Sequence, residues 1–510
     1  MIMIDGHSLT IDEVVNVSRH YEPIALSIEA KLAILSSNER LMRIWNGDLP
    51  VYGINTGFGI FADRRIDPTD SARLSRNLII SHAVGTGKPF PEEIVRAAML
   101  IRANTLAKGF SGVRLEVVET IIAMLNQNVT PVIPSQGSLG SSGDLCQLSH
   151  MALVFTTDSS DKEEESGEAT FGGRTYSGKK AMELAGIKRV VLGPKEGLAL
   201  NNGATFCAAI GALAVNDSEE ILNYAEIALA LSLEALQGCR AAFDPRLHIA
   251  RGHPGQIQVA ARVLKLVNGS TLVDSTDRVQ DAYSLRCAPQ VQGAARETVE
   301  FVRTIVEREI NAATDNPLLF DPDEAVSGGN FHGEPIGLAM DYLGIAMAEV
   351  GAISERRVFR LTDGKLNGGL PPMLVDSMEA AGLNSGLMMP QYTAASLVLE
   401  NQTLATPDSV HSLPTSGEQE DHNANATTAS RHALDIIQNV CYVLAIELFT
   451  ASRAIVIRKR ENPDKHLGSD TQLVMDYLLE IAPYQPVDSY WNASIQRIYR
   501  SLELNEIPNV

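Results

Sequence analysis

Cysteine is scarce in this 510-residue chain: Cys146, Cys207, Cys239, Cys287 and Cys441 stand singly, with no CxxC pair. A disulfide framework is thereby excluded, and a reducing compartment, the cytoplasm, is the expected location. Basic charge is short as well. Against 62 Asp and Glu there are 42 Lys and Arg, a formal net charge of −20 that argues against nucleic acid or an anionic membrane as the main partner. Missing too are a run of about eighteen uncharged apolar residues and, in Met1 to Thr10, the basic start and apolar core of a secretory signal. Aromatic residues make up only 5% while Ala and Leu recur throughout, which favours helix over sheet. The chain reads as a soluble, mainly α protein whose partner is a small molecule.

Two textures divide it. Residues 1–197 mix helical stretches with glycine-rich loops at 52–59 (YGINTGFG), 85–89 and 136–143. Residues 156–168 (TTDSSDKEEESGE) read as an exposed excursion, followed by a glycine-punctuated hairpin near 171–177. From 198 to 510 long helices dominate, expected at 219–236, 291–313, 335–360, 388–404 and 424–458. Apolar residues occupy nearly every face of 221–236, so this helix is expected inside a bundle, and the length of the set suggests burial against other subunits.

Polar clusters interrupt this frame, each open to two readings. Tyr52 sits among glycines at 53, 57 and 59 that allow tight turns, as a phenol held near a ligand or as a packing tyrosine. His82 ends the run NLIISH, either structural or functional. The GTGK that follows is no phosphate loop, because Pro89 succeeds Lys88. Gln280, Tyr283 and Arg286 are spaced three and three, which can put them on one helical or turn face, and Arg286 can clamp a carboxylate or pair with an acid. Glu418 to His422 (EQEDH) is a solvated acidic face or a substrate reader; it lacks the HExxH spacing, and no metal is expected.

The stretch Gly140 to Asp144, Gly-Ser-Ser-Gly-Asp, carries the most chemistry. Ser and Gly clusters are ordinarily turns. Here, attack of the Gly143 amide nitrogen on the Ser141 carbonyl carbon, with loss of water, closes a five-membered imidazolone. The ring needs glycine's unhindered nitrogen and its backbone freedom. Loss of the Ser142 hydroxyl as a second water leaves an exocyclic methylene, a strong electrophile. Ser141 contributes its carbonyl and a spectator side chain. One reaction unites the clusters: the methylene captures an amino acid, Arg286 fixes its carboxylate, a tyrosinate at Tyr52 removes a β-proton, and ammonia leaves, while His82 and Glu420 read the side chain.

The ordered motifs YGINTGFG (52–59), NLIISH (77–82), GSLGSSGDL (137–145), EGLALNNG (196–203), VQDAYSLRCAPQ (279–290), TDNPL (314–318), GGNFHGEP (328–335) and QEDH (419–422) closely resemble the aromatic amino acid ammonia-lyases, through almost the whole chain. The resemblance implies a fumarase and aspartase type long-helix bundle with a mixed N-terminal active-centre region. It also implies a homotetramer with active sites built from three subunits, and self-cyclisation of Ser141-Ser142-Gly143 to 4-methylidene-imidazol-5-one, with no external cofactor. On matching positions Tyr52 takes the role of base, Asn202 and Gln280 neighbour the electrophile, and Tyr283 is a second phenol. Arg286 holds the carboxylate, Phe331 lines the pocket and Asp144 assists cyclisation. Ser81-His82 and Glu420 resemble the histidine-specific members, which implies histidine in and urocanate out.

Three departures from the family pattern stand near the site. Ser141 replaces the usual Ala; Cys146-Gln147-Leu148-Ser149 replaces Ala-Pro-Leu-Ala; and Asn423-Ala424-Asn425 replaces Val-Ser-Met. The rivals are a phenylalanine or tyrosine lyase, an aminomutase on the same scaffold, and a non-catalytic helical assembly protein. A serine hydrolase through Ser142 lacks the GxSxG elbow. Two dehydrations lighten the chain by about 36 Da, so intact mass should show that deficit in the wild type and not in Ser142→Ala; a wild type of full mass would favour the assembly protein.

Overall fold

The computed structural model describes residues 1–47, 50–57, 64–141 and 143–510; Phe58, Gly59 and the central Ser142 lie outside the described residues. Within them are eighteen α-helices, the longest Ala426–Glu461, and eleven strands of at most four residues. The chain forms two compact units, one of residues 1–216, 302–341 and 407–431, the other of 217–301, 342–406 and 432–510. Four of the five boundaries fall inside long helices, so the change of texture at 198 and the compact units are different divisions of the chain.

All eleven strands among the described residues belong to the first unit, nine of them within residues 1–197. Thr130–Pro131, Glu168–Phe171 and Arg174–Ser177 make an antiparallel sheet, with the expected hairpin turning at Gly172 and Gly173, both at positive φ. Thr86–Pro89 pairs with Pro134–Gln136, joining the segment after His82 to the one leading into the 140–144 loop. Beneath them runs Glu92–Ala107, buried from Ile94 to Ala107. It carries Arg102 wholly out of solvent, where burial lowers the guanidinium to about 10 against the pull of Asp315 and Asp144.

The 156–168 stretch departs from the expected excursion. Thr156–Thr157 is a buried strand paired with Val190–Val191, and Arg189 reaches Asp161 at 2.6 Å while Arg76 donates to the Thr156 hydroxyl at 3.0 Å. Two arginines need acceptors there, and the polar residues of the stretch supply them.

Among the described residues the second unit holds no strand, and helices are its regular elements. Met388–Leu404 begins and ends as the sequence predicts, and the ends of Thr205–Ala235, Ala288–Glu309, Glu334–Thr362 and Ala426–Glu461 fall within four residues of the other expected spans, save for the earlier start at Thr205. Between Ile221 and Leu236 only Asn223 is not buried, so the cover of this helix comes from its own chain rather than from another subunit. Glu334–Thr362 and Ala426–Glu461 are long and apolar enough to cross a membrane, but 67% and 89% of their apolar windows are buried within the protein.

Polar groups set the register of this bundle. Glu447 is fully buried and takes Arg357 Nη2 at 2.8 Å and the Ser232 hydroxyl at 2.6 Å; Glu226 pairs with Arg296 at 2.6 Å. Glu234 makes no ion pair among the described residues. Its Oε1 accepts from Gly468 N at 2.8 Å, and burial pushes its carboxyl from 4.5 up to about 7. Between those values the native state keeps a proton that the unfolded chain has released, so this group makes stability fall as pH rises through the interval. Glu234→Gln cannot ionise and should flatten that part of the slope in denaturant titrations run from pH 4.5 to 7; an unchanged slope would assign the titration to another group.

Candidate active site

The 140–144 loop sits where four remote segments of the first unit meet, and backbone contact is what demands its glycines. Gly143 adopts φ +76 and bridges Gly203; a Cβ on it would lie 2.2 Å from Gly203 N. Gly203, at φ +127, has Thr314 Oγ1 2.4 Å from its own would-be Cβ. Gly140 packs on Ala426, and its carbonyl accepts from Gly333 N at 2.9 Å.

Asp144 is wholly buried and has unusually many donors. Its Oδ2 accepts from Phe206 N at 2.7 Å and Cys207 N at 3.0 Å, the first turn of Thr205–Ala235. Oδ1 accepts from Thr427 Oγ1 at 2.7 Å, Ser138 Oγ at 3.1 Å and Cys207 Sγ at 3.1 Å. The first-turn amides of a 31-residue helix and the charge of the nearby Arg102 face this carboxylate. Ser141 is buried too, and its hydroxyl is no spectator: it donates to Asn423 Oδ1 and accepts from Ala424 N at 3.1 Å. A loop pressed against Gly203 with no space for a side chain at 143, and held on both flanks, fits the source of an internal imidazolone.

The substrate-reading candidates gather in the same unit. His82 is the last residue of Ser71–His82, with Ser81 Oγ 3.0 Å from its Nδ1. Burial lowers its pKa, against the Leu78 carbonyl and the charge of Glu420, so the ring is neutral at neutral pH with Glu420 in electrostatic reach. Glu420 pairs antiparallel with Thr415. Phe331 is half-buried on a turn whose His332 lies 3.1 Å from the His422 carbonyl, with the two imidazoles stacked. Asn202 is buried at the end of Glu196–Asn201, next to Gly203. Tyr52 is half-buried in a turn where Gly53 takes φ +67 and Val51 N donates to Asn55 Oδ1 at 2.7 Å; Gly59, the last glycine of that motif, is not described.

Gln280, Tyr283 and Arg286 belong to the second unit. Only Tyr283 and Arg286 share a helical turn, Tyr283–Arg286, while Gln280 lies exposed ahead of it, so the three do not form one helical face. The Arg286 guanidinium stacks on the Tyr283 ring at 4.6 Å and its Nε donates to Asp281 O at 2.9 Å. Its Nη groups make no hydrogen bond among the described residues and remain for a carboxylate.

Residues 9–479 match the family model described as aromatic amino acid lyase. The chain belongs to the aromatic amino acid lyase family. It is 51% identical to a histidine ammonia-lyase of Caldanaerobacter subterraneus subsp. tengcongensis over 90% of this chain and 88% of that one. Among solved structures, histidine ammonia-lyase from Trypanosoma cruzi superposes with a TM-score of 0.90 at 36% identity, covering 99% and 94% of the two chains. Tyrosine aminomutase from Streptomyces globisporus reaches 0.92 at 34%, covering 99% and 97%. The mainly helical, fumarase-like fold expected from the sequence is the fold of this family.

Sequence reasoning passed over Ser138, His332 and Thr427, and marked Asn423 only as a departure from the family pattern, without its partner. Ser138 and His332 stand in the motifs already quoted; the roles depend on contacts with partners nearly a hundred or more residues away, or, for Ser138, on the fold of its own loop. The Gly143–Gly203 approach yields a direct test. Gly143→Ala should cost about 2–4 kcal/mol from the strained φ and the backbone clash and should block cyclisation, read by thermal unfolding and intact mass; a variant of native stability would refute the close approach.

Proposed function

We propose that this chain is a histidine ammonia-lyase, a carbon–nitrogen lyase that converts L-histidine to urocanate and ammonia with no external cofactor. The observation that carries the substrate is a neutral, half-buried His82 within electrostatic reach of Glu420. Together they offer a hydrogen-bonding ring and a negative charge, which suit imidazole and would leave polar groups unpaired against phenyl. The name of the 51% identical relative supports the same choice.

Ser141, Ser142 and Gly143 are the source of the methylidene-imidazolone, which when formed supplies an electrophilic methylene that turns the substrate's amine into a leaving group. The other steps fall to ordinary side chains. Arg286 takes the carboxylate through its Nη donors, and Tyr52 removes the β-proton. Tyr283 is a second phenol, Asn202 and Gln280 flank the electrophile, and Phe331 lines the pocket. Asp144, anchored by five donors, holds Gly143 in the conformation from which its nitrogen attacks.

A homotetramer with shared sites is part of the proposal. Its support is apolar surface on the long helices of the second unit: Met389, Tyr392 and Leu399 are each more than half exposed. A groove of about 770 Å³ is lined in part by Val291, Ala294, Phe301, Tyr342 and Ile345. Five unpaired cysteines suit the cytoplasm.

A second reading, a lyase or 2,3-aminomutase acting on tyrosine or phenylalanine, draws on the likeness to tyrosine aminomutase, at lower identity. Incubation with single amino acids separates the two. Urocanate absorbance should rise with histidine alone; turnover of tyrosine or phenylalanine without urocanate would overturn the histidine assignment.

A further inference from the structure

Two of the three departures from the family pattern meet in space. Ser141 stands where Ala is usual and Asn423 where Val is usual, and each is the other's buried hydrogen-bond partner. The Asn423 amide has a determined orientation: its Nδ2 donates to the Leu413 carbonyl, which can only accept, so its oxygen faces Ser141. The Asn423 backbone N donates to Ser412 Oγ at 2.8 Å. Asn423 thus closes the base of a loop, 412–423, from both its side chain and its backbone.

Glu420 is carried by that loop. Thr415 N donates to Glu420 O at 2.8 Å, and the Thr415 hydroxyl lies 3.3 Å from Glu420 Oε2. A continuous path of hydrogen bonds and short backbone therefore leads from Ser141 through Asn423 and Leu413 to Thr415 and Glu420. The 140–144 loop does not depend on it, because Gly140 is held by Gly333 and Asp144 by Phe206, Cys207 and Thr427.

We propose that the Ser141 hydroxyl and the Asn423 amide form a strut that sets the Glu420 loop at its working position relative to the electrophile-forming loop, making Ser141 a positioning residue for substrate choice. This rests on the reading that Glu420 contacts the imidazole side chain. With Ala at 141, the Asn423 oxygen and the Ala424 N–H are left buried without this partner, and the loop shifts to find water or another donor.

A double-mutant cycle on the full-length protein tests it. Ser141→Ala and, separately, Asn423→Val are made in the wild type and in Glu420→Gln, with intact mass, KM and kcat for histidine as readouts. Expected is the full two-water mass loss in every variant. In the wild-type background kcat/KM should fall about ten- to a hundredfold, mostly through KM; in the Glu420→Gln background the same substitutions should change it less than about twofold. Equal losses in both backgrounds, no loss in either, or a missing mass deficit in Ser141→Ala would overturn the strut. A wild type inert toward histidine would overturn the substrate reading and the strut with it, whereas additive losses with wild-type turnover intact overturn the strut alone.

Discussion

A buried carboxylate organises the first unit. Asp144 has no exposed surface, and a charge taken out of water is tolerated only when donors replace its hydration. Five donors do so, from Ser138, Phe206, Cys207 and Thr427, with Arg102 supplying positive charge nearby. Segments more than sixty and more than two hundred residues away in sequence are thereby held at one point. The carboxylate does not cap its own helix, Leu145–Phe155; it serves the first turn of Thr205–Ala235 instead. Removal of one oxygen's partners would leave a bare charge or bare amides in the interior, and the cost of either keeps the loop before it in place.

From that anchor the rest of the first unit's polar arrangement follows. Asp144 N donates to Gly203 O at 2.9 Å, which brings Gly143 onto Gly203 and places Asn202 alongside. Gly140 O receives Gly333 N, so the Phe331 turn docks on the same loop, and His332 extends the link to His422. Ser141 adds the connection to Asn423. Small residues are required wherever these backbones cross, and hydroxyls or amides wherever a crossing leaves a peptide group needing a partner. The second unit works by other means: its buried acids Glu226 and Glu447 are matched by arginines, while Glu234 makes no ion pair among the described residues and burial raises its carboxyl to about 7.

Much of this was legible in the sequence because it is local. Met388–Leu404 follows from its helix-forming composition and the hairpin from paired glycines at 172 and 173. What escaped was long-range. Residues 156–168 look like a solvated charged loop, but Arg76 and Arg189, remote in sequence, draw part of the stretch inside. The spacing of Gln280, Tyr283 and Arg286 suggests a single face, yet the helix begins only at Tyr283. Ser141 reads as a spectator until Asn423, 282 residues away, is beside it.

By itself the sequence determined the helical class, the long-helix spans, the family resemblance and the identity of the residues in the Gly140–Asp144 stretch, since periodicity, composition and neighbouring atoms in the chain are properties of short segments. Only the tertiary structure decided that Gly143 can be nothing but glycine against Gly203, that the Asp144 carboxylate is held by a distant helix, and that the side chain at 141 has a partner. Those facts depend on which backbones touch, and a contact between residues sixty or three hundred positions apart is decided by packing and by the desolvation of the groups it buries, neither of which leaves a local pattern.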